Sequence, residues 1–175
     1  IGAAVKTEFP EVKESIRLFN FAGDAGNFFL KIGDKVFEEK RVFAADSNFF
    51  RVFSTKILMG DEASALMKPN SVVINETTAK KYFGSVNAAF HKTFEVDGNN
   101  NNNNVFQITA ICADWPENSH FLFDLLISTT GFEFTRDLNY INFSAHTYLL
   151  LNPGASTKAL EAKFPIIIKK YVAGD

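Results

Sequence analysis

The sequence predicts a mixed α/β domain, and three observations carry that reading. Two β-rich runs, Val105-Phe106-Gln107-Ile108-Thr109-Ala110-Ile111-Cys112 and Phe121-Leu122-Phe123-Asp124-Leu125-Leu126-Ile127, flank the polar stretch Asp114-Trp115-Pro116-Glu117-Asn118-Ser119-His120. Pro116 fixes φ and has no N–H, and Asp, Asn and Ser bond their own backbone, so neither run continues through the turn. Helical signals lie elsewhere, at residues 75–84, which run from a capping residue to a terminal glycine, and at residues 155–172. Composition supplies the third: 46% hydrophobic and 22% charged residues are ordinary globular usage, with 20 Phe against one Trp and four Tyr. Phenylalanine has no polar handle, so most of these rings are expected inside a core.

In chain order, residues 2–9 predict a short helix ended by Pro10, which disfavours helix in the residue before it. Residues 12–21 predict a strand and residues 23–27 a turn. Residues 28–32 and 35–43 predict a hairpin about Gly33-Asp34, a favoured turn dipeptide. Asp46 is expected to cap a helix through Phe53 that presents Phe49, Phe50 and Phe53, and residues 60–67 a second short helix closed by Pro69-Asn70. Residues 71–74 predict an apolar strand leading into the capped helix. Residues 94–96 predict a strand running into Asp97-Gly98, followed by six asparagines, 99–104, that read as a hairpin tip because they offer nothing to a core. Residues 146–151 predict a strand stopped by Asn152-Pro153-Gly154. The last helix carries Leu160, Phe164, Ile167, Ile168 and Tyr171 at 3–4 spacing, with Ser156-Thr157 as caps, a kink at Pro165 and Lys169-Lys170 at its negative end. Asp124, opposite in parity to Phe123 and Leu125, is expected on an exposed face.

At 175 residues the chain fits one domain or two closely packed lobes, and burial of about 70% of the unfolded surface is usual at this size. A net charge of −2 gives no long-range pull on phosphates or anionic lipid and argues against nucleic acid as a partner. The single cysteine, Cys112, excludes an internal disulfide and any multi-cysteine metal site. No apolar run reaches the roughly 18 to 20 residues of a membrane helix, and no signal peptide opens the chain. Two expectations follow: a cytosolic protein, or a segment whose flanking targeting parts lie outside it. His91, His120 and His146 lie in separate elements without metal-ligand spacing. Cys112, Asp114 and His120 flank one bend and could meet there as a metal or nucleophile site, but a structural turn is the simpler reading. The sequons Asn75-Glu76-Thr77 and Asn142-Phe143-Ser144 matter only in a secreted eukaryotic protein. With no phosphate loop, no Ser-His-Asp arrangement and no HExxH, the reading is a non-enzyme with no catalytic, cofactor-binding or metal-binding residue.

The order of several motifs is recognisable. Phe9-Pro10-Glu11-Val12, Ala45-Asp46-Ser47-Asn48-Phe49-Phe50, Gly60-Asp61, Pro69-Asn70-Ser71-Val72-Val73-Ile74-Asn75-Glu76-Thr77-Thr78-Ala79-Lys80-Lys81-Tyr82-Phe83-Gly84, Asp114-Trp115-Pro116-Glu117-Asn118-Ser119-His120-Phe121 and Thr147-Tyr148-Leu149-Leu150-Leu151 follow one another. Together they resemble the MacB-type periplasmic core domain of FtsX-like ABC transporter permeases, in the version common in Bacteroidetes. The asparagine tract departs from the family by replacing a short hairpin tip, and the family's transmembrane helices are not in this stretch.

The resemblance implies an α+β, two-lobed fold: a split βαβ-like lobe from residues 1–37 and 121–175, and an inserted mixed α/β lobe from residues 38–120. It implies a domain between the first and second membrane helices of an inner-membrane permease, facing the periplasm of a bacterium. Its expected role is non-catalytic, relaying motion driven by a separate or fused ABC ATPase to a substrate or partner protein in the export of peptides, drugs or lipoproteins. The implied partners are that ATPase, through the membrane helices, a second permease copy and a periplasmic adaptor protein. The competing expectation is a solute- or peptide-binding module with its pocket among the aromatics of residues 132–143, and a third is a hydrolase using Asp114 or His120.

Overall fold

The β-rich run marked at residues 105–112 forms a nine-residue strand that hydrogen-bonds to three others. The computed structural model describes residues 2–21, 28–96, 104–136 and 145–171, apart from the side chains of Phe134 and Arg136. In chain order the elements are α1 (Gly2–Glu8), β1 (Val12–Asn20), β2 (Phe28–Ile32), β3 (Lys35–Glu39), β4 (Val42–Ala45), α2 (Phe49–Val52), β5 (Ile57–Gly60), β6 (Ser71–Asn75), α3 (Glu76–Phe83) and α4 (Val86–Ala89). They continue with β7 (Thr93–Val96), β8 (Asn104–Cys112), β9 (Leu125–Ser128), β10 (His146–Leu151), α5 (Thr157–Glu161) and α6 (Phe164–Tyr171). The described strands join one mixed sheet in the order β10-β1-β4-β9-β6-β8-β7-β2-β3, with β5 paired to β8. The β4–β9 and β6–β8 pairs are parallel and the rest antiparallel. The fold is therefore α+β around a mixed sheet.

This sheet is rolled rather than flat. Glu39 and Val42 end β3 and begin β4, and three residue steps span at most about 11 Å. Their strands stand six places apart in the sheet order, which would separate them by about 29 Å in a flat sheet. Only a rolled sheet meets both conditions. The face that includes Phe19, Val42, Val72, Phe94, Ile108 and Leu125 shares one core with Ala79 of α3 and Ala89 of α4. The other face packs Ile16, Leu18, Val73, Ala110 and Leu126 against Phe49 of α2, Ala65, Leu66 and Phe123. A third core, Val5, Phe9, Val12, Leu160 and Ile167, holds α1, α5 and α6 on the β1–β10 end.

A bulge in β8 allows one strand to serve both faces. Its pairing with β6 jumps from Ile108 to Ala110 between Val72 and Val73, so the alternation that sends Phe106 and Ile108 to one core restarts with Ile111. The extra residue, Thr109, donates from Oγ1 to the carbonyl of Ala65 at 2.6 Å. Gly60 crosses beside it with φ of +91°, where a Cβ would stand 2.5 Å from the Thr109 carbonyl oxygen, so no other residue fits.

Several elements depart from the sequence expectation, each for a visible reason. Asp46 does not cap a helix with its side chain; α2 is one turn with Asn48 at its N-cap, because the Asp46 carboxylate is held by Arg17 and the Asn48 amide by Glu14 and Ser15. Residues 61–67 form successive turns instead of a helix. The Asp61 carboxylate accepts from Ser64 N and Oγ, and the carbonyls of Ala65 and Leu66 are taken by Thr109 and Ser128. The expected strand 35–43 breaks at Lys40, since the Arg41 carbonyl accepts from Asp124 N at 2.8 Å and hands the chain to β9. For the same reason β9 starts only at Leu125, and residues 121–124 are not strand. The single expected C-terminal helix is two, because Pro165 has no N–H for the Glu161 carbonyl. By contrast, α3 forms as expected, with Asn75 Oδ1 accepting from Thr78 N at 2.8 Å and Gly84 left-handed at φ +82°. Strand β5 and helix α4 were not expected from the sequence. The turn at 23–27 lies outside the described residues, as do residues 97–98 and residues 99–103 of the expected tip, while Asn104, its last residue, instead begins β8 opposite Val96.

Candidate functional site

The bend after β8 carries the three candidates Cys112, Asp114 and His120, and the structure gives each of them its own structural partner. Cys112 is fully buried with Sγ 3.7 Å from the Ile74 carbonyl oxygen, and burial pushes its thiol up to about 12, so it stays protonated and non-nucleophilic near neutral pH. Asp114 accepts from Thr77 N at 2.9 Å and Thr77 Oγ1 at 2.8 Å, satisfying the first turn of α3. His120 Nε2 lies 2.8 Å from the Tyr148 hydroxyl on β10. Trp115 packs its ring 5.1 Å from Phe123, 5.3 Å from Phe121 and 5.8 Å from Phe49. The bend is an aromatic clamp between the α2 face and β10. Among the described residues no three His, Cys, Asp or Glu groups converge on a metal position. The sequon at Asn75 is buried under its capping role; the one at Asn142 lies outside the described residues, as do residues 137–144 of the aromatic stretch. Phe132, at its start, packs 5.3 Å from Phe21.

Two bidentate ion pairs, which sequence reasoning missed, pin the strands beneath this clamp. Arg41 Nε and Nη2 donate to Asp124 Oδ2 and Oδ1 at 2.9 and 2.8 Å. Asp124 is buried, contrary to the exposed placement expected from strand parity, and Asn75 Nδ2 adds a bond to Oδ1 at 3.2 Å. The signal was present in the sequence: a carboxylate inside an apolar run needs a partner. Arg17 Nε and Nη2 donate to Asp46 Oδ2 and Oδ1 at 3.0 and 2.9 Å, Thr129 Oγ1 donates to Oδ1 at 3.0 Å, and Arg17 Nη1 reaches the Thr135 carbonyl at 2.6 Å. A recess of about 230 Å³ opens beside Arg41, Asn75, Asp114 and Trp115, but Arg41 is already paired with Asp124, Asn75 with Asp124, the Phe123 carbonyl and Thr78 N, and Asp114 with Thr77.

On the β1–β10 end of the sheet the first and last described helices are tied together. Glu8 Oε1, closing α1, accepts from Lys170 Nζ at 2.5 Å and from Tyr171 Oη at 2.7 Å, both on α6. These bonds, the Lys170 one foremost, hold the Glu8 carboxyl below its ordinary value. Lys163 forms a second pair with Glu11, and Phe9 and Phe164 meet at 6.5 Å. An apolar recess of about 260 Å³ lies between α1, β10 and α6.

Residues 2–165 match the family described as MacB-like periplasmic core domain. The chain belongs to that family. MacB-like domains are the periplasmic parts of ABC transporter permeases, and as a class they are non-catalytic components of transport assemblies that work with ATPase partners. Solved structures share the fold. A domain assigned to a permease protein from Porphyromonas gingivalis superposes with a TM-score of 0.82 at 23% identity, covering 98% of this chain and 76% of that one. The periplasmic region of MacB from Actinobacillus actinomycetemcomitans gives 0.65 at 16% identity, covering 97% and 72%. No curated protein matches the sequence. For this MacB-like domain the family places the chain on the periplasmic side of a membrane transporter, while no described helix is long and apolar enough to cross a membrane.

Proposed function

We propose that this domain relays ATP-driven movement of a permease's membrane helices to a substrate or partner protein outside the inner membrane, without catalysing a reaction itself. One observation carries the reading: α1 and α6 are clamped to each other and to the β1–β10 end, where a push would enter, and an unbroken ladder leads from there through the rest of the sheet. Backbone hydrogen bonds across ten strands resist shear together, so displacement of one end is transmitted rather than absorbed. The movement would come from a separate or fused ABC ATPase, and a second permease copy and a periplasmic adaptor protein are the further partners in this reading. The test is a full permease carrying Glu8→Ala with Lys170→Ala, reconstituted with its ATPase. Export is expected to fall several-fold while ATP hydrolysis persists; unchanged export sinks the relay.

The division into residues 1–37 with 121–175 and residues 38–120 is proposed as a difference in opening free energy. Ladder bonds cross both limits, β4 with β1 and β9 and β2 with β7, so the two units are regions of one sheet. Native-state hydrogen exchange should give two sets of protection; a single uniform set removes the division.

A further inference from the structure

The far end of the sheet has a design that the relay reading does not use. Across β8, β7, β2 and β3 the pairings Glu95–Val105, Lys31–Glu95, Lys31–Val36 and Phe29–Glu38 place these residues on one face. Among the described residues that face carries no packed layer: Phe29, Val36 and Val105 are 49%, 65% and 50% exposed, large values for apolar side chains. The opposite face of the same strands buries Leu30, Phe94 and Phe106. The outer edge of β3 pairs with no other strand among the described residues.

An open edge of this kind templates another strand. The sequence of this edge, Asp34-Lys35-Val36-Phe37-Glu38-Glu39-Lys40, selects which one. Laid antiparallel on a second copy of itself with Phe37 opposite Phe37, it sets the exposed Asp34 and Lys40, which flank the strand, against each other twice by the two-fold symmetry, whereas Lys35 comes against a buried Glu39 already held by Lys81 and Tyr82. Moving the register one or two places either way puts like charges together: Asp34 against Glu39 or Glu38, Lys35 against Lys40, or Glu38 against Glu38. Opposite charges directly across a strand pair stabilise it and like charges destabilise it. The chosen register also brings the two exposed Val36 side chains to diagonal positions on the open face.

We propose that the β3 edge is a homotypic docking site, through which a second copy of this chain continues the sheet about a two-fold axis at Phe37. It rests on the relay reading only in naming the second permease copy as the occupant, and it is read on this chain alone, so a failed export assay leaves it standing. Two short strands bury less than a standard interface, so association of the free chain is weak and shows at high protein concentration.

The test uses sedimentation velocity on the chain and two charge reversals. Asp34→Lys and Lys40→Glu each replace two attractive pairs by two repulsive ones and should weaken self-association about tenfold. An equimolar mixture of the two variants restores both attractions in the heterodimer and should recover association. A mixture of Val36→Cys and Glu38→Cys chains should form a mixed disulfide in preference to either self-pair, while buried Cys112 stays reduced. A monomer at every concentration, no weakening in the single variants, or no recovery on mixing overturns the proposal.

Discussion

Arg41 grips Asp124 through two parallel hydrogen bonds, at 2.9 and 2.8 Å, at the point where β4 and β9 begin to run side by side. The carboxylate is buried and the guanidinium half exposed, so the two substitutions are unequal. Arg41→Ala leaves a buried charge with only the Asn75 amide and should cost about 2 kcal/mol. Asp124→Asn frees a cation that water can reach and should cost about 1 kcal/mol. Urea midpoints with unchanged slope would read both. Equal and negligible losses would show the pair to be ornamental.

Trp115 gives a sharper contrast. Its ring is surrounded by Phe49, Phe53, Phe121 and Phe123, yet the buried indole Nε1 has no hydrogen-bond partner among the described residues. Trp115→Phe keeps the stacking and removes the orphan donor, so stability should change by less than about 1 kcal/mol. Trp115→Ala opens a cavity and should cost about 3 kcal/mol or more. Thermal unfolding of the two variants separates them, and a large loss on Trp115→Phe would mean that the indole N–H is used.

The clamp between the chain ends responds to acid. Bonds to Lys170 and Tyr171 lower the Glu8 carboxyl from its ordinary value of 4.5. A depressed folded-state value means that the clamp's contribution is complete above about pH 4.5 and is lost as pH falls through the lower, folded-state value. An NMR titration of the Glu8 carboxyl should therefore show a midpoint below 4.5, moving up toward that value in a Lys170→Ala chain. A midpoint at or above 4.5 in the unaltered protein would mean the clamp is absent in solution.

Cys112 reports on global opening. Fully buried and with its thiol raised to about 12, it should react with a thiol reagent at neutral pH only when the central sheet opens. The labelling rate in dilute urea should follow the unfolding equilibrium. Fast labelling under native conditions would mean that β6 and β8 separate locally.

Local chemistry was legible wherever neighbours along the chain complete it. Asn75 and Gly84 bound α3 as read, Gly33 turns the β2–β3 hairpin, and the Pro116 bend ends β8's run, because caps and turns are satisfied by groups within a few residues. The family likeness was legible for the same reason, since the motifs recur in order. The turns at 61–67 were not legible, because the carbonyls that a helix needs are claimed by Thr109 and Ser128, 44 and 62 residues on.

The amino-acid order alone determined an α+β chain of capped helices, phenylalanine-rich strands and a MacB-like succession of motifs, all properties of short windows of residues. Tertiary structure decided which strands are neighbours, that β3 and β4 part company at Lys40, and that Asp124 and Asp46 lie inside against Arg41 and Arg17. The physical reason is that a strand's pattern states which of its faces is apolar but not whose backbone will fill its hydrogen bonds. That choice is made only when the sheet rolls around a core shared by residues from Phe19 to Ile127.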